Sequence, residues 1–283
     1  MKHISTISEL RQQITAWRGE GKIIAFVPTM GNLHRGHCQL VGEALKIADR
    51  VVVSIFVNPL QFGIGEDYEA YPRTLSNDQA QLQTLGTQLL FTPQVQEIYP
   101  RGSTTMTQVQ PTEFNDILCG AFRPGHFTGV ATVVNLLFNL VQPDKALFGQ
   151  KDYQQLLVIK RMVSDLFMPI DIIGVATVRE TDGLAMSSRN QYLTTSERQI
   201  APQLYQTLID TKQQLLQGER DYEKLERQAM QQLMQLNFKP DYVAIRHTET
   251  LERSQLDDTQ WIILAAAYLG KARLIDNLLI NEN

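Results

Sequence analysis

Residues Val51 to Val57 read VVVSIFV and are closed at once by Asn58-Pro59. An almost continuous β-branched run, with no polar alternation, suits a strand buried on both faces, as in a parallel sheet covered by helices. The residues before it fit the same architecture. Lys22 to Thr29 (KIIAFVPT) is a short apolar run, glycines follow, and Gly36 to Asp49 carries helical spacing at Leu40, Val41, Ala44, Leu45 and Ala48. Strand, loop, helix and strand together make a βαβ unit.

The alternation continues. A helix is expected around Leu75 to Leu85, a short strand at Gln88 to Phe91, and a polar loop across Tyr99 to Thr105. Gly129 to Val141 (GVATVVNLLFNLV) is apolar nearly all round and reads as a buried helix. A strand at Lys145 to Phe148, a helix at Gln154 to Leu166 and a strand at Ile170 to Val178 follow. The predicted fold class is α/β, a Rossmann-like doubly wound parallel sheet. After Glu180 the pattern changes: a polar loop, Thr181 to Asn190, then Ser196 as the expected N-cap of a Gln-rich helix running towards Gly218. A helix from Asp221 and strands near Tyr242, Trp261 to Tyr268 and Ala272 to Ile275 complete a small α+β domain. The expected division is residues 1–178 and 179–283, the second acting as a C-terminal lid.

Charge and cysteine content narrow the function. With 26 Lys and Arg against 30 Asp and Glu, the net charge is −4, which argues against a broad cationic surface for nucleic acid. The two cysteines, Cys38 and Cys119, form no CxxC pair, as suits a reducing compartment and a cytoplasmic protein. No apolar run approaches the roughly 20 residues that cross a bilayer, and Met1 to Glu20 lacks the apolar core of a signal peptide. No membrane partner is expected.

Four clusters carry chemistry, each just after a predicted strand. Pro28 to His37 (PTMGNLHRGH) lies between the first strand and the first helix, where a parallel sheet binds ligands and a helix N-terminus offers N–H donors to phosphate. His34 and His37 can share one face of that helix start and donate to phosphoryl oxygens. The alternatives are two surface histidines or half of a metal site, and the latter lacks a third ligand and any H-E-x-x-H run. Met186-Ser187-Ser188-Arg189-Asn190 can clamp phosphate with hydroxyls and a guanidinium, although alone it also reads as a surface loop. Phe148 to Gln155 (FGQKDYQQ) offers Lys151 to phosphate and Asp152 to a ribose hydroxyl or metal ion, unless Asp152 merely caps a helix. Asn58-Pro59-Leu60-Gln61-Phe62-Gly63 sets neutral amides beside apolar groups, suiting a hydroxylated branched substrate, with Gln155 as a second amide; an ordinary turn is the alternative.

The H-x-G-H pattern at His34 to His37 and the Ser-Ser-Arg loop resemble the paired signature of the nucleotidyltransferase superfamily. More narrowly, the chain resembles the pantothenate synthetase (pantoate–β-alanine ligase) family, through PTMGNLHRGH, SIFVNPLQF, YPRTL, RPGHFTGVATVV, FGQKDYQQL, VRETDGLAMSSRN and GKARLIDN. The match runs from about Val27 to Asn277 and is weaker beyond Gln191.

The resemblance implies that pantoate and ATP give pantoyl-adenylate and pyrophosphate, and that β-alanine then displaces AMP. It implies an ATP site of Met30, Gly31, Asn32, Leu33, His34, Arg35, Gly36, His37, Gly149, Gln150, Lys151, Asp152, Val178, Met186, Ser187, Ser188 and Arg189. His37, His34, Lys151 and Arg189 would be catalytic, with Mg²⁺ accompanying ATP. Gln61 and Gln155 would bind pantoate, Asn58, Arg123 and His126 would help place the amine substrate, and Asp78 would contact the metal. A homodimer is also implied. Cys38 beside His37 invites a cysteine-nucleophile reading, set aside because that position runs into the helix, where a small apolar group packs. Arg35 should face solvent. The rivals are another adenylyltransferase of the superfamily, which would need basic residues for an acceptor phosphate, and a nucleotide-binding protein without chemistry.

Overall fold

The computed structural model describes residues 1–63, 65–255 and 258–281. The chain divides into two compact units, residues 1–150 with 154–176, and residues 151–153 with 177–283.

The first unit runs β1 (Lys2–Ile4), α1 (Ile7–Gly19), β2 (Ile24–Thr29), α2 (Arg35–Ile47), β3 (Arg50–Ile55), α3 (Leu75–Leu85), β4 (Leu89–Phe91), α4 (Val95–Ile98), α5 (Cys119–Phe122), α6 (His126–Val141), β5 (Lys145–Gly149), α7 (Tyr153–Asp165) and β6 (Asp171–Val175). Its six strands stand in the order β1-β4-β3-β2-β5-β6, and every pairing is parallel. Side chains alternate across the sheet. Ala25, Val27, Val51, Val53, Leu90 and Leu147 face Leu40, Val41, Ala44 and Leu82 from α2 and α3. On the opposite face Phe138 of α6 meets Phe26 and Phe148 edge-on, at centroid distances of 6.3 Å each. Helices therefore cover both faces, which is why Val51, Val52 and Val53 of β3 can all be apolar and buried. Successive strands step from β2 to β3 to β4 on one side, while β5 and β6 lie on the other side of β2. The order thus reverses between β2 and β5, the place where such sheets bind ligands beyond their carboxyl ends.

The second unit holds α8 (Thr195–Ile200), α9 (Gln203–Leu216), α10 (Tyr222–Gln235), β7 (Lys239–His247), β8 (Gln260–Leu269) and β9 (Ala272–Asn281), the strands forming an antiparallel sheet in the order β7-β8-β9. Leu204, Leu208 and Leu215 of α9 and Leu225, Ala229 and Leu233 of α10 pack against Trp261, Ile263, Ala265 and Ala267 of the central strand. The predicted α/β fold with a small α+β C-terminal part is the fold observed.

Several boundaries differ from expectation, each for a local reason. The N-cap is Thr194 and not Ser196: Thr194 Oγ1 accepts from Glu197 N at 3.3 Å, and Glu197 Oε2 accepts from Thr194 N at 2.7 Å. Pro202 lacks an N–H and splits the expected single helix into α8 and α9. The strand expected to reach Val178, β6, ends at Val175, and the chain then turns into a hairpin in which Val178 O accepts from Met186 N at 2.9 Å. Finally, β1 and α1 fall in a segment for which the sequence suggested no element.

Candidate active site

The loop leaving β2 is shaped by its backbone. Gly31 has φ +83, and a Cβ there would lie 2.9 Å from Ile55 Cγ2; Asn32 follows with φ 51. This left-handed pair favours Gly and Asn and turns two successive amides towards Asp78. Asp78, fully buried on α3, accepts from Asn32 N at 2.9 Å, from Leu33 N at 2.8 Å and from the Thr74 hydroxyl at 3.1 Å. Both carboxylate oxygens are thus engaged by the loop. Among the described residues no group of three or more His, Cys, Asp or Glu is placed to hold a metal ion. Asp78 thus anchors the loop through both of its oxygens.

His34 then caps α2. Its Nδ1 accepts from Gly36 N at 3.1 Å, while His37 Nδ1 accepts from His34 N at 3.3 Å, and the two rings lie 4.1 Å apart. This is a capping box with imidazoles in both roles. Because each Nδ1 is an acceptor, each neutral ring carries its proton on Nε2. The pair is therefore set to donate from Nε2 beside the amides of a helix start. Arg35 is exposed, as expected. Cys38 donates to Gln81 Oε1 at 3.5 Å, and burial pushes its thiol up, away from the thiolate a nucleophile needs.

After β3 the chain forms a 3₁₀ turn at Pro59–Gln61. Asn58, 1% exposed, donates to Gly129 O and to Gln61 Oε1 at 3.1 Å each and accepts from the Tyr99 hydroxyl at 2.8 Å. Gln61 Nε2 donates to Met30 Sδ at 3.0 Å, tying this turn to the β2 loop. The turn packs on α6 at Gly129, where a Cβ would stand 2.3 Å from Leu60 O. Arg123 and His126 join the same group. Arg123 Nη1 donates to His126 Nε2 at 3.0 Å, and His126 Nδ1 donates to Gln61 O at 2.8 Å, which also accepts from Arg123 Nη2 at 3.2 Å. Glu66 takes two 2.6 Å bonds from Arg123. Burial pushes the Glu66 carboxyl up, but the Arg123 hydrogen bonds and charge outweigh it and hold the group below its ordinary range.

The turn after β5, Gln150–Asp152, carries Lys151, whose side chain is 16% exposed and whose Nζ lies 4.0 Å from Asp152. Of the adjacent glutamines on α7, Gln154 is buried and pinned: it accepts from Cys119 N at 3.0 Å and donates to Phe114 O at 2.7 Å and Ile117 O at 2.8 Å. Gln155 is half-buried, and its side-chain amide has no hydrogen-bond partner among the described residues. One glutamine holds a loop and the other is available to a ligand.

In the second unit Val178 and Met186 meet across the hairpin already described, with Gly183 at φ +93 in its turn. Ser187 Oγ accepts from Arg189 N at 3.2 Å and starts the 3₁₀ turn Ser188–Tyr192. Asn190 Nδ2 donates to Ala185 O at 3.0 Å, folding the Ser-Ser-Arg segment against its own hairpin.

The loop at the β2–β5 reversal, with its imidazole pair, sits beside a neutral amide turn, an arrangement that can grip phosphate next to a hydroxylated acid. A family model described as pantoate-beta-alanine ligase matches residues 2–279. The chain belongs to the pantoate-β-alanine ligase family. A pantothenate synthetase of Shewanella baltica (strain OS223) is 57% identical over 272 residues, 96% of each chain. One of Pseudomonas entomophila (strain L48) is 54% identical over 281 residues, covering 99% of this chain and 98% of that one. The crystal structure of pantothenate synthetase from Thermus thermophilus is 48% identical, with a TM-score of 0.92 over 98% of this chain and 99% of that one. The pantoate-β-alanine ligase of Francisella tularensis, complexed with beta-gamma ATP and beta-alanine, is 35% identical, with a TM-score of 0.82 over 99% and 97%.

Sequence reasoning missed the residues that hold the site without touching a ligand in its own reading: Tyr99 on Asn58, Glu66 on Arg123, Gly129 under Leu60, and Gln154. Gly129 carried a signal, a glycine inside an otherwise apolar helix, which marks a close backbone approach. The others find partners 35 or more residues away in sequence, beyond the reach of any local pattern.

Proposed function

We infer that the protein is an ATP-dependent ligase that joins pantoate to β-alanine through pantoyl-adenylate. A pantoate carboxylate oxygen attacks the α-phosphorus of ATP and pyrophosphate leaves. The β-alanine amine then attacks the acyl carbon, the acyl–phosphate bond breaks, AMP departs and a proton is released. A carboxylate alone is too poor an acylating agent for amide formation at neutral pH, so ATP supplies AMP as the leaving group. The observation that carries this reading is the reciprocal cap of His34 and His37, which fixes both imidazoles as Nε2–H donors at a helix start.

In this reading Met30 to His37, Gly149 to Asp152, Val178 and Met186 to Arg189 contact ATP. His34, His37, Lys151 and Arg189 neutralise charge on the phosphates as it shifts towards pyrophosphate. Gln61 and Gln155 bind pantoate. Asn58, Arg123 and His126 act near the amine substrate by shaping the Gln61 turn. His126 Nε2 already accepts from Arg123, so this histidine orients rather than removes protons. ATP enters as its Mg²⁺ complex. Both Asp78 oxygens already serve the loop, so Asp152, its side chain 47% exposed, is the carboxylate of the Lys151 turn that would help hold such an ion, which would offset phosphate charge. A homodimer and a cytoplasmic location are part of this proposal.

An adenylyltransferase acting on a phosphorylated acceptor is less well supported. Its acceptor pocket would need an uncommitted cation, and Arg123 is committed to Glu66. The test is pantoate-dependent ATP–pyrophosphate exchange without β-alanine, followed by addition of the amine. Exchange that requires pantoate, then AMP and pantothenate, is expected. A folded, ATP-binding protein showing no exchange with pantoate would overturn the reading.

A further inference from the structure

The stretch Gly270 to Asn277 (GKARLIDN) shares in the family resemblance, yet none of its residues has a role in the site above. We propose that Asp276 and Asn277, on β9, are positioning residues for adenylation, holding the Lys151 turn and the hairpin that leads to Ser187–Arg189 in one buried network. This rests on the reading that Lys151 and Ser187–Arg189 meet the phosphates.

Asn277, 6% exposed, donates from Nδ2 to the Lys151 carbonyl at 2.8 Å. Its own N–H donates to Asp276 Oδ1 at 2.8 Å. Asp276, its side chain 1% exposed, takes two bonds from Arg179, at 2.6 and 2.9 Å. The Arg179 guanidinium carbon sits over the Tyr205 ring, 3.5 Å from its centroid, and Arg179 donates to Gly183 O at 3.1 Å, inside the hairpin that pairs Val178 with Met186. The Ser-Ser-Arg segment begins at the next residue. A buried carboxylate in the apolar run LIDNLLI is costly unless paired, and packing of β9 does not require it. What its pairing does is fix two backbone segments, each carrying proposed phosphate ligands, relative to one strand. A bidentate, stacked Arg–carboxylate pair does this with few alternative geometries.

The experiment compares wild type, Asn277→Ala, Lys151→Ala and the double variant in pantoate-dependent exchange, alongside melting temperature and amide hydrogen exchange of residues 150–153. Displacement of a catalytic group by about 1 Å costs roughly 100-fold. Asn277→Ala is therefore expected to lower kcat by about 10- to 100-fold with KM for pantoate unchanged, and to lose this effect in the Lys151→Ala background. Amide exchange of 150–153 should rise in the unliganded protein. An equal loss in both backgrounds, or unchanged protection of 150–153 in Asn277→Ala, would overturn the proposal. The protection measurement needs no turnover, so it still decides the positioning role if wild type shows no exchange with pantoate and the ligase reading itself fails. Asp276→Asn, which keeps the side-chain shape, gives a second variant: it should lower kcat similarly, and full activity would equally overturn the proposal.

Discussion

Asp78→Asn separates the loop-anchor role from a metal contact. The wild-type carboxylate serves two backbone amides, Asn32 and Leu33, and the Thr74 hydroxyl, from a fully buried position. An asparagine there can offer its carbonyl oxygen to one amide, but its NH₂ then faces the other, leaving a buried N–H without an acceptor. Hydrogen bonds to charged groups contribute about 1.5–3 kcal/mol and an orphaned buried donor costs about 1–3 kcal/mol. Allowing for relaxation, the expected loss is about 2–4 kcal/mol. Asp78→Ala orphans both amides and approaches the total stability of a domain, about 5–15 kcal/mol, so Asn is the informative substitution. Trp17 is buried in the first unit and Trp261 in the second. In a Trp261→Phe background, Trp17 fluorescence therefore reports urea unfolding of the unit that carries Asp78. With a urea slope of about 1–3 kcal/mol per molar, the midpoint should fall by about 1–2 M. Exchange activity should drop too, without recovery at raised Mg²⁺. An unchanged midpoint, or activity restored by Mg²⁺, would refute the anchor and return Asp78 to the metal.

His37→Ala should keep the fold, losing about 1 kcal/mol for the cap, while exchange falls by about 100- to 1,000-fold as for one lost donor to developing charge; normal turnover would remove His37 from the mechanism. Gly129→Ala places a methyl 2.3 Å from Leu60 O, so the Pro59–Gln61 turn must shift. A stability loss of about 1–3 kcal/mol and a raised KM for pantoate are expected, and kinetics identical to wild type would contradict the close packing. Glu66→Gln tests the pair with Arg123. The folded-state pKa of Glu66 lies below its unfolded value, so its stabilisation is complete above the ordinary carboxylate pKa of about 4.3 and is lost as pH falls through the lower folded value. The melting-temperature gap between wild type and Glu66→Gln should be widest near pH 7 and close under strong acid; a gap independent of pH would show that the charge is not what holds Arg123.

The parts of the fold that the sequence revealed are those whose cause is local. β3 declares itself through seven nearly unbroken apolar residues, and α6 through apolar positions on every side. The signals for α1 are local as well, although they sit in a mostly polar segment. Thr6 and Glu9 form the threonine–glutamate N-terminal pattern, with the Thr6 hydroxyl on Glu9 N at 3.3 Å, and Leu10, Ile14 and Trp17 recur at helical spacing. The same pattern at Thr194 and Glu197 forms the cap of α8, although Ser196 with Gln199 three residues on fits the pattern too, which is why the local sequence does not choose between them.

The site divides along the same line. His34 and His37 stand out because their spacing is local, and the tautomer their rings require follows from a cap three residues long. Nothing near Asp78 says that its partners are amides 45 and 46 residues earlier, nor does anything near Asn277 point to a carbonyl 126 residues away. Yet the second leaves a trace that is local: Asp276-Asn277 interrupts a run that should be wholly apolar in a buried strand, and a charge kept in such a run must be paired. The partner's identity cannot be read from the run, but the need for one can. In the antiparallel sheet of the second unit, such an interruption marks where segments distant in sequence are fastened to one strand, and a change at Asn277 should be felt in the chemistry before it is felt in the fold.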